Sequence, residues 1–310
     1  MEIETTSQVE QQEDVQTYPK SDLHQKVTDT IIRQLEQGTV PWQKPWIGGD
    51  NMFMRMPKNH FSGKKYRGIN ILLLWAATQE KNLSTNEWAS FKQWKEKGES
   101  IRKNEKGSMV VYYDTFEKEE EGEIKKIPFL KYSIVFNRAQ LNGYKPDQEI
   151  PAANTSSLVQ RIENVESYIF NTRAKVEEFD HAAYSESKDT IYMPPRDKFI
   201  DTPTCDATEG YYSSLFHELT HWTGSEKRLN RKHGKRFGDS VYAQEELVAE
   251  LGAAFLTSEF GINNLEKGDH ASYIAHWLEV LKNNKYSIIA AASDASKACD
   301  YLNALQPMPE

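Results

Sequence analysis

The chain has 310 residues, 38% of them hydrophobic and 11% aromatic, enough to bury one large core or two of ordinary size. Its formal net charge of −8 hides a division: residues 20–113 hold 16 Lys and Arg against 9 Asp and Glu, leaving the remainder near −15. There is no apolar run of membrane-spanning length and no basic-then-apolar leader, and the two cysteines, Cys205 and Cys299, make no disulfide framework, which together predict a soluble cytoplasmic protein.

Residues 1–19 are polar and acidic and read as a disordered tail. From Asp22, apolar residues recur every three or four positions (Leu23, Val27, Ile31, Ile32, Leu35) until Gly38, which predicts a helix with Ser21 or Asp22 as its cap. Gly68–Ala77 reads as a buried helix, and Trp88–Lys97 as a short helix ended by Gly98. Ser108–Phe116 and Tyr132–Phe136 read as strands joined by an acidic, solvated hairpin around Glu119–Gly122. A linker composition then separates a first domain, 20–147, from a second, 157–310, with 148–156 between them. The second opens with a helix near Ser157–Phe170, then a hairpin from Ala183–Tyr184 to Asp189–Met193, stopped by Pro194 and Pro195. Helices near Glu209–Thr223, Ser240–Phe260, Ala271–Asn283 and Ile288–Leu305 complete an α+β chain of two domains.

The sharpest chemical signal is His217-Glu-Leu-Thr-His221. Residues four apart share one helix face, so both imidazoles can address one ion, while Glu218 is rotated about 100° away and can reach a water without becoming a ligand. Leu215, Leu219 and Trp222 supply the apolar face that anchors such a helix. A catalytic zinc needs a third protein ligand and an open position. Glu246 and Glu250 stand four apart on the next, largely apolar helix, where carboxylates need a cationic partner. Glu246 is the expected third ligand, and Glu250 the expected acceptor for the second nitrogen of a ligating histidine. Glu245 is expected to point elsewhere, into solvent.

With Glu246-Leu-Val-Ala-Glu250, the motif is similar to that of the gluzincin metallopeptidases. Phe216–Gly224, Arg228-Leu-Asn230 and Tyr242–Phe255, with Trp42, Tyr66-Arg-Gly-Ile-Asn70 and Trp88–Gln93 upstream, resemble the ArdC antirestriction proteins of mobile plasmids. They also resemble the related metallopeptidase domains of polyvalent proteins. The resemblance implies a single-stranded-DNA-binding first domain and a zincin-like second domain with an active-site helix and a short sheet. It also implies protection of incoming plasmid DNA from host restriction. The chemistry expected of the site is peptide hydrolysis, with Glu218 taking a proton from water and passing it to the leaving amine. Tyr242, His233 and Tyr192 are candidate oxyanion donors, and the strand at Asp189–Met193 is the expected edge on which an extended peptide pairs. The protein substrate is not specified. Lys227–Arg236 reads as a solvated basic loop, with cleft lining or nucleic-acid contact as the alternatives.

Single strands are held by cations interleaved with aromatic faces. The first domain offers Trp42, Lys44, Trp46, Lys64, Tyr66, Arg67, Trp88, Lys92, Arg102, Lys103 and Lys106, with Asn59 and Asn70 as amide contacts, whereas Trp75 lies inside an apolar run and is core. Two functional readings stand side by side. One is a DNA-associated zinc metallopeptidase. The other is a DNA-coating protein whose metal site is structural or vestigial; Glu218 favours the first, because a structural site needs no base. A metal-dependent nuclease fits less well, since Mg²⁺ asks for oxygen-rich ligands.

Overall fold

The computed structural model describes residues 22–42, 55–120, 123–145, 158–202, 205–231, 240–262 and 270–307. The expected tail and linker, together with Lys44, Trp46 and His233, lie outside the described residues.

Helix α1 (Leu23–Glu36) starts at Asp22, whose carboxylate accepts the N–H groups of His24 and Gln25 at 3.1 and 3.3 Å. It buries Val27, Ile31 and Leu35 at helical spacing. Helix α2 (Ile69–Glu80) is buried along nearly its whole length. The stretch expected to be one helix from Trp88 is instead strand β2 (Glu87–Ser90) followed by α3 (Phe91–Glu96). A capping box sets the junction. Ser90 Oγ accepts the Gln93 N–H at 3.2 Å while Gln93 Oε1 accepts the Ser90 N–H at 3.0 Å. The residues before it pair with β4 instead, Trp88 opposite Asn137 and Ser90 opposite Val135.

Strands β3 (Ser108–Glu120) and β4 (Glu123–Asn137) form a hairpin longer than its apolar pattern suggests. With β1 (Lys58–Asn59) they make a sheet of order β1-β2-β4-β3. After α4 (Leu158–Thr172) comes a second sheet of order β5-β7-β6. Its strands are β5 (Lys175–Glu178), β6 (Ala183–Ser185) and β7 (Thr190–Met193). The β6–β7 hairpin is the expected one, while β5, exposed at all four residues, carries no alternation that would announce it. Its parallel pairing makes β7 the central strand, so β7 is not the edge that the sequence suggested; β5 and β6 are the edges of this sheet. Helices α5 (Ala207–Thr223), α6 (Ser240–Phe260), α7 (His270–Asn283) and α8 (Ser287–Ala304) complete the chain.

One apolar cluster runs through both halves. Trp42 meets Trp277 edge-on, with ring centroids 5.2 Å apart, and Trp75 meets Phe255 at 5.8 Å. Polar contacts follow the same seam. Thr28 Oγ1 donates to the Lys285 carbonyl at 2.7 Å, the Gly68 N–H donates to Ser296 Oγ at 2.8 Å, and Arg67 pairs with Asp300. A fragment of residues 20–147 therefore exposes the inner face of α1 together with Trp42 and Trp75. It should show no sharp thermal transition by circular dichroism under conditions where the full chain unfolds cooperatively. A sharp transition in the fragment would contradict the shared core.

Candidate metal centre

Asp206 caps α5 by accepting the Glu209 N–H at 2.9 Å, and Leu215, Phe216, Leu219 and Trp222 bury its far side. This leaves His217, Glu218 and His221 facing a cleft of about 530 Å³ together with Tyr242 and Glu246 of α6. The two helices approach closely because residue 252 is glycine: a Cβ there would lie 2.5 Å from Thr220 Oγ1. Thr220 is fully buried and β-branched, so it has little room to yield.

Within this frame His217 Nε2 lies 3.5 Å from Glu246 Oε2, and His221 Nε2 lies 3.3 Å from Glu246 Oε1. One donor atom from each of the three residues falls within 4.8 Å of the others. Bonds of about 2.0–2.1 Å at tetrahedral angles place neighbouring donors about 3.3–3.4 Å apart, so the set fits a small divalent ion. Among the described residues it is the one cluster of three such side chains.

Behind these three side chains stands a second layer of carboxylates. Glu250 Oε1 lies 3.5 Å from His217 Nδ1. Glu245, expected in solvent, is instead buried, with Oε1 3.1 Å from His221 Nδ1. Arg231 holds it there with bonds of 2.8 and 3.0 Å. Burial alone would lower the His221 pKa, but hydrogen bonds to Glu245 and Glu246 outweigh it and push it up to about 10. Burial likewise opposes the Glu245 charge, yet His221 and Arg231 bring that carboxyl down to about 2. Against the same burial, the two histidines hold Glu246 far below the usual carboxylate range.

In the basic loop after α5, Lys227 is exposed, as expected of a solvated loop, while Arg228 and Arg231 turn inward. The Arg228 guanidinium stacks 3.9 Å over the Trp222 ring, donates to the Trp222 carbonyl and pairs with Asp189 at the start of β7. The remainder of the loop, including His233, lies outside the described residues. Of the other oxyanion candidates, Tyr242 lines the cleft, while Tyr192 packs its ring against Phe179 at 5.3 Å on the central strand. The strand bordering the cleft is β6, through Ala183 and Tyr184.

The expected nucleic-acid residues divide into two groups. Trp42 and Trp88 are fully buried and offer no face for a base. Asn70 spends its amide on both backbone groups of Val111 at 2.7 Å, and Asn59 Oδ1 accepts from the N–H groups of Phe61 and Ser62. Arg67 is committed to Asp300, and Arg102 to Glu105 and the Ala139 carbonyl. Tyr66 is half-buried against the core around Trp88. Trp42, Trp88, Asn59, Asn70 and Tyr66 thus build the fold, while Arg67 and Arg102 are ion-paired at the surface. Lys64, Lys92, Lys103 and Lys106 are exposed, and among the described residues only Lys92 has a carboxylate neighbour, Glu96 at 4.0 Å. The exposed rings nearby are Phe61, edge-on to Trp94 at 4.9 Å, and Phe91. Phe91 adjoins Lys92 in the sequence, whereas Phe61 has no lysine beside it.

Residues 21–157 match the N-terminal domain of anti-restriction factor ArdC, and residues 163–294 match a zincin-like metallopeptidase family. The protein y4eC of Sinorhizobium fredii (strain NBRC 101917 / NGR234) is 33% identical over 92% of this chain and 93% of its own length. The crystal structure of metal-free antirestriction ArdC from plasmid R388 superposes with a TM-score of 0.75 at 37% identity, covering 92% of this chain and 98% of that one.

The chain belongs to the ArdC family. The Mn(II)-bound structure of the R388 protein gives a TM-score of 0.72 at 34% identity over the same shares of both chains. Two DNA primases TraC of Escherichia coli are 33% identical over 93% of this chain but only 20% and 27% of their own lengths, so there the ArdC unit is a segment of a longer protein. Family membership bears out the expected two-domain α+β architecture with its zincin-like second half. No helix among the described residues is long and apolar enough to cross a membrane.

Two predictions follow from the geometry of this ArdC site. Gly252→Ala forces α5 and α6 apart and should destabilise the chain by about 1–3 kcal/mol, the usual penalty of overpacking, while weakening divalent-metal uptake. Denaturant titration and competition with a chromophoric chelator measure the two effects; wild-type values for both would refute the close-approach argument. A metal ligand must also be deprotonated, and with the His221 pKa up at about 10 an incoming ion displaces its proton at neutral pH. Zinc uptake should therefore release protons, and apparent affinity should fall as pH is lowered from 9 to 6. Calorimetry in two buffers of different ionisation enthalpy detects the release; identical heats would exclude it.

Proposed function

We propose that the protein binds single-stranded DNA through its basic first half and hydrolyses peptide bonds at a zinc site in its second half, protecting incoming plasmid DNA from restriction. The observation that carries the enzymatic reading is the His217, His221, Glu246 donor set, with Glu218 in the same cleft beside an edge strand. Manganese in the R388 relative supports a divalent ion, and two imidazoles with one carboxylate suit zinc. When bound, such an ion polarises a substrate carbonyl and acidifies a water.

The protein's own contribution can be stated residue by residue. β6 pairs with an extended peptide backbone and lays it along the cleft. Glu218, only 8% exposed, accepts a proton on its carboxylate and returns it to the departing amine. Tyr242, which lines the cleft, donates to a developing oxyanion. On the DNA side, Lys64, Lys92, Lys103 and Lys106 meet phosphates while Phe61 and Phe91 offer faces to bases. Membership of the antirestriction family and the presence of this segment in DNA primases support that half of the reading.

The test uses Glu218→Gln in the full chain. It should keep zinc, fold and DNA binding, and lose peptide hydrolysis by about 10²–10⁴-fold, as expected for removal of a general base. Transfer of a plasmid encoding the variant into a restricting host should then lose protection. Full protection in Glu218→Gln, with loss in a variant carrying charge reversals at Lys64, Lys92 and Lys103, assigns protection to coating of the strand and overturns the proteolytic reading.

A further inference from the structure

The loop after the metal helix folds back on that helix. The Leu229 N–H donates to the Thr223 carbonyl at 3.0 Å, Asn230 to Ser225 at 2.9 Å, and Arg231 to Gly224 at 2.8 Å. Asn230 takes a left-handed φ of 49°, which turns the chain so that the Arg231 side chain enters the protein. Only 9% of that side chain is exposed, and its partner Glu245 is 6% exposed.

The guanidinium is almost fully used. Nε donates to Glu245 Oε2 at 3.0 Å and Nη2 to Glu245 Oε1 at 2.8 Å, a bidentate grip on the carboxylate. Nη1 donates to Thr223 Oγ1 at 2.8 Å and Nη2 also to the Thr220 carbonyl at 2.7 Å, both in the last turn of α5. A helix leaves its final carbonyls without partners in that turn, so a buried cation suits the position. Glu245 Oε1 is thereby held 3.1 Å from His221 Nδ1. A carboxylate only accepts, so Nδ1 carries a proton toward Glu245, and Nε2, 3.3 Å from Glu246 Oε1, is the nitrogen left to give up its proton to an ion.

We infer that Arg231 is a positioning residue of the metal centre, which fixes the tautomer and ring orientation of His221 by clamping Glu245 behind it. The inference rests on the metal-site reading and adds a residue that touches neither ion nor substrate. Its action on the His221 ring passes through Glu245, while its bonds to Thr220 and Thr223 hold the end of the same helix. The two residues therefore behave as one unit, distinct from the Glu250 that stands behind His217.

A double-mutant cycle in the full chain tests this, with zinc alone as the probe and affinity read by chelator competition. Arg231→Gln and Glu245→Gln should each weaken zinc binding by roughly 10–100-fold, the usual cost of losing an outer partner. The double variant should be no weaker than the worse single one, because coupled residues are not additive. In the zinc-loaded wild type, a long-range ¹H–¹⁵N spectrum should show His221 as the Nδ1–H tautomer, with that proton slow to exchange, and both singles should lose the slow exchange. Thermal unfolding of the metal-free variants separates this from general loosening: the zinc penalty should exceed any change seen without metal. Additive penalties, wild-type affinity in Arg231→Gln, or a penalty equal to the metal-free destabilisation overturns the inference. So does tighter binding in Arg231→Gln, since Glu245 would then have become a ligand. His217→Ala is the control for the underlying reading: if it binds zinc as wild type does, the site itself is misassigned, whereas its loss of zinc beside unaffected Arg231 variants refutes only the positioning role.

Discussion

The absent side chain at position 252 governs the distance on which the metal centre depends. Thr220 fills the space that a Cβ would take, so α5 and α6 pack almost backbone to side chain. Two histidines come from one helix and one glutamate from the other, and separations of 3.3 and 3.5 Å between them leave little tolerance for helix drift. Everything that stiffens this crossing serves the site: the Asp206 cap, the apolar face of α5, and the arginines that tie the helix end to Glu245 and to Asp189. The local electrostatics have the same origin. Carboxylates on α6 are driven into contact with imidazoles on α5, and each makes the other's charge tolerable in a buried place.

The seam between the halves raises a related point about autonomy. Composition divides the chain into a basic part and an acidic part, yet α1 and Trp42 pack into the helices of the acidic part. Arg67 and Lys65 of the first half pair with Asp300 and Glu259 of the second. The division of charge thus coexists with one continuous core. Basic residues such as Lys64 and Lys103 face solvent, while Lys65 and Arg67 at the seam pair with carboxylates of the acidic half.

The clustering of His217, His221 and Glu246 was legible because i, i+4 spacing on a helix is a geometric statement in itself. Glu245 was not legible. Neighbouring helical residues point about 100° apart, so a ligand at 246 seemed to send 245 into solvent, yet two ligating rings need partners on two sides. Glu245 and Glu250 flank Glu246 and reach different rings. A buried acid next to Ala243 and Leu247, with Arg231 upstream, was the signal available. The tryptophans were misread for the opposite reason. Interleaved charge suggested exposed rings, but large aromatics release most free energy when fully buried, and Trp42 and Trp88 follow that rule. The Trp88 segment also shows a local device outweighing pattern, since the Ser90–Gln93 box fixes where the helix begins and leaves the preceding residues to the sheet.

The strand bordering the cleft has only three residues, Ala183–Ser185. A peptide laid against so short an edge gains few backbone hydrogen bonds, each worth about 0.5–1.5 kcal/mol net. Capture from dilute solution by that edge alone would be feeble. Tethering changes the arithmetic: a protein and its target bound to the same strand of DNA meet at an effective concentration that short flexible linkages raise to about the millimolar range. Under the proposed function, a weak groove would become a source of selectivity, sparing proteins met in free solution and favouring those that arrive on the same nucleic acid.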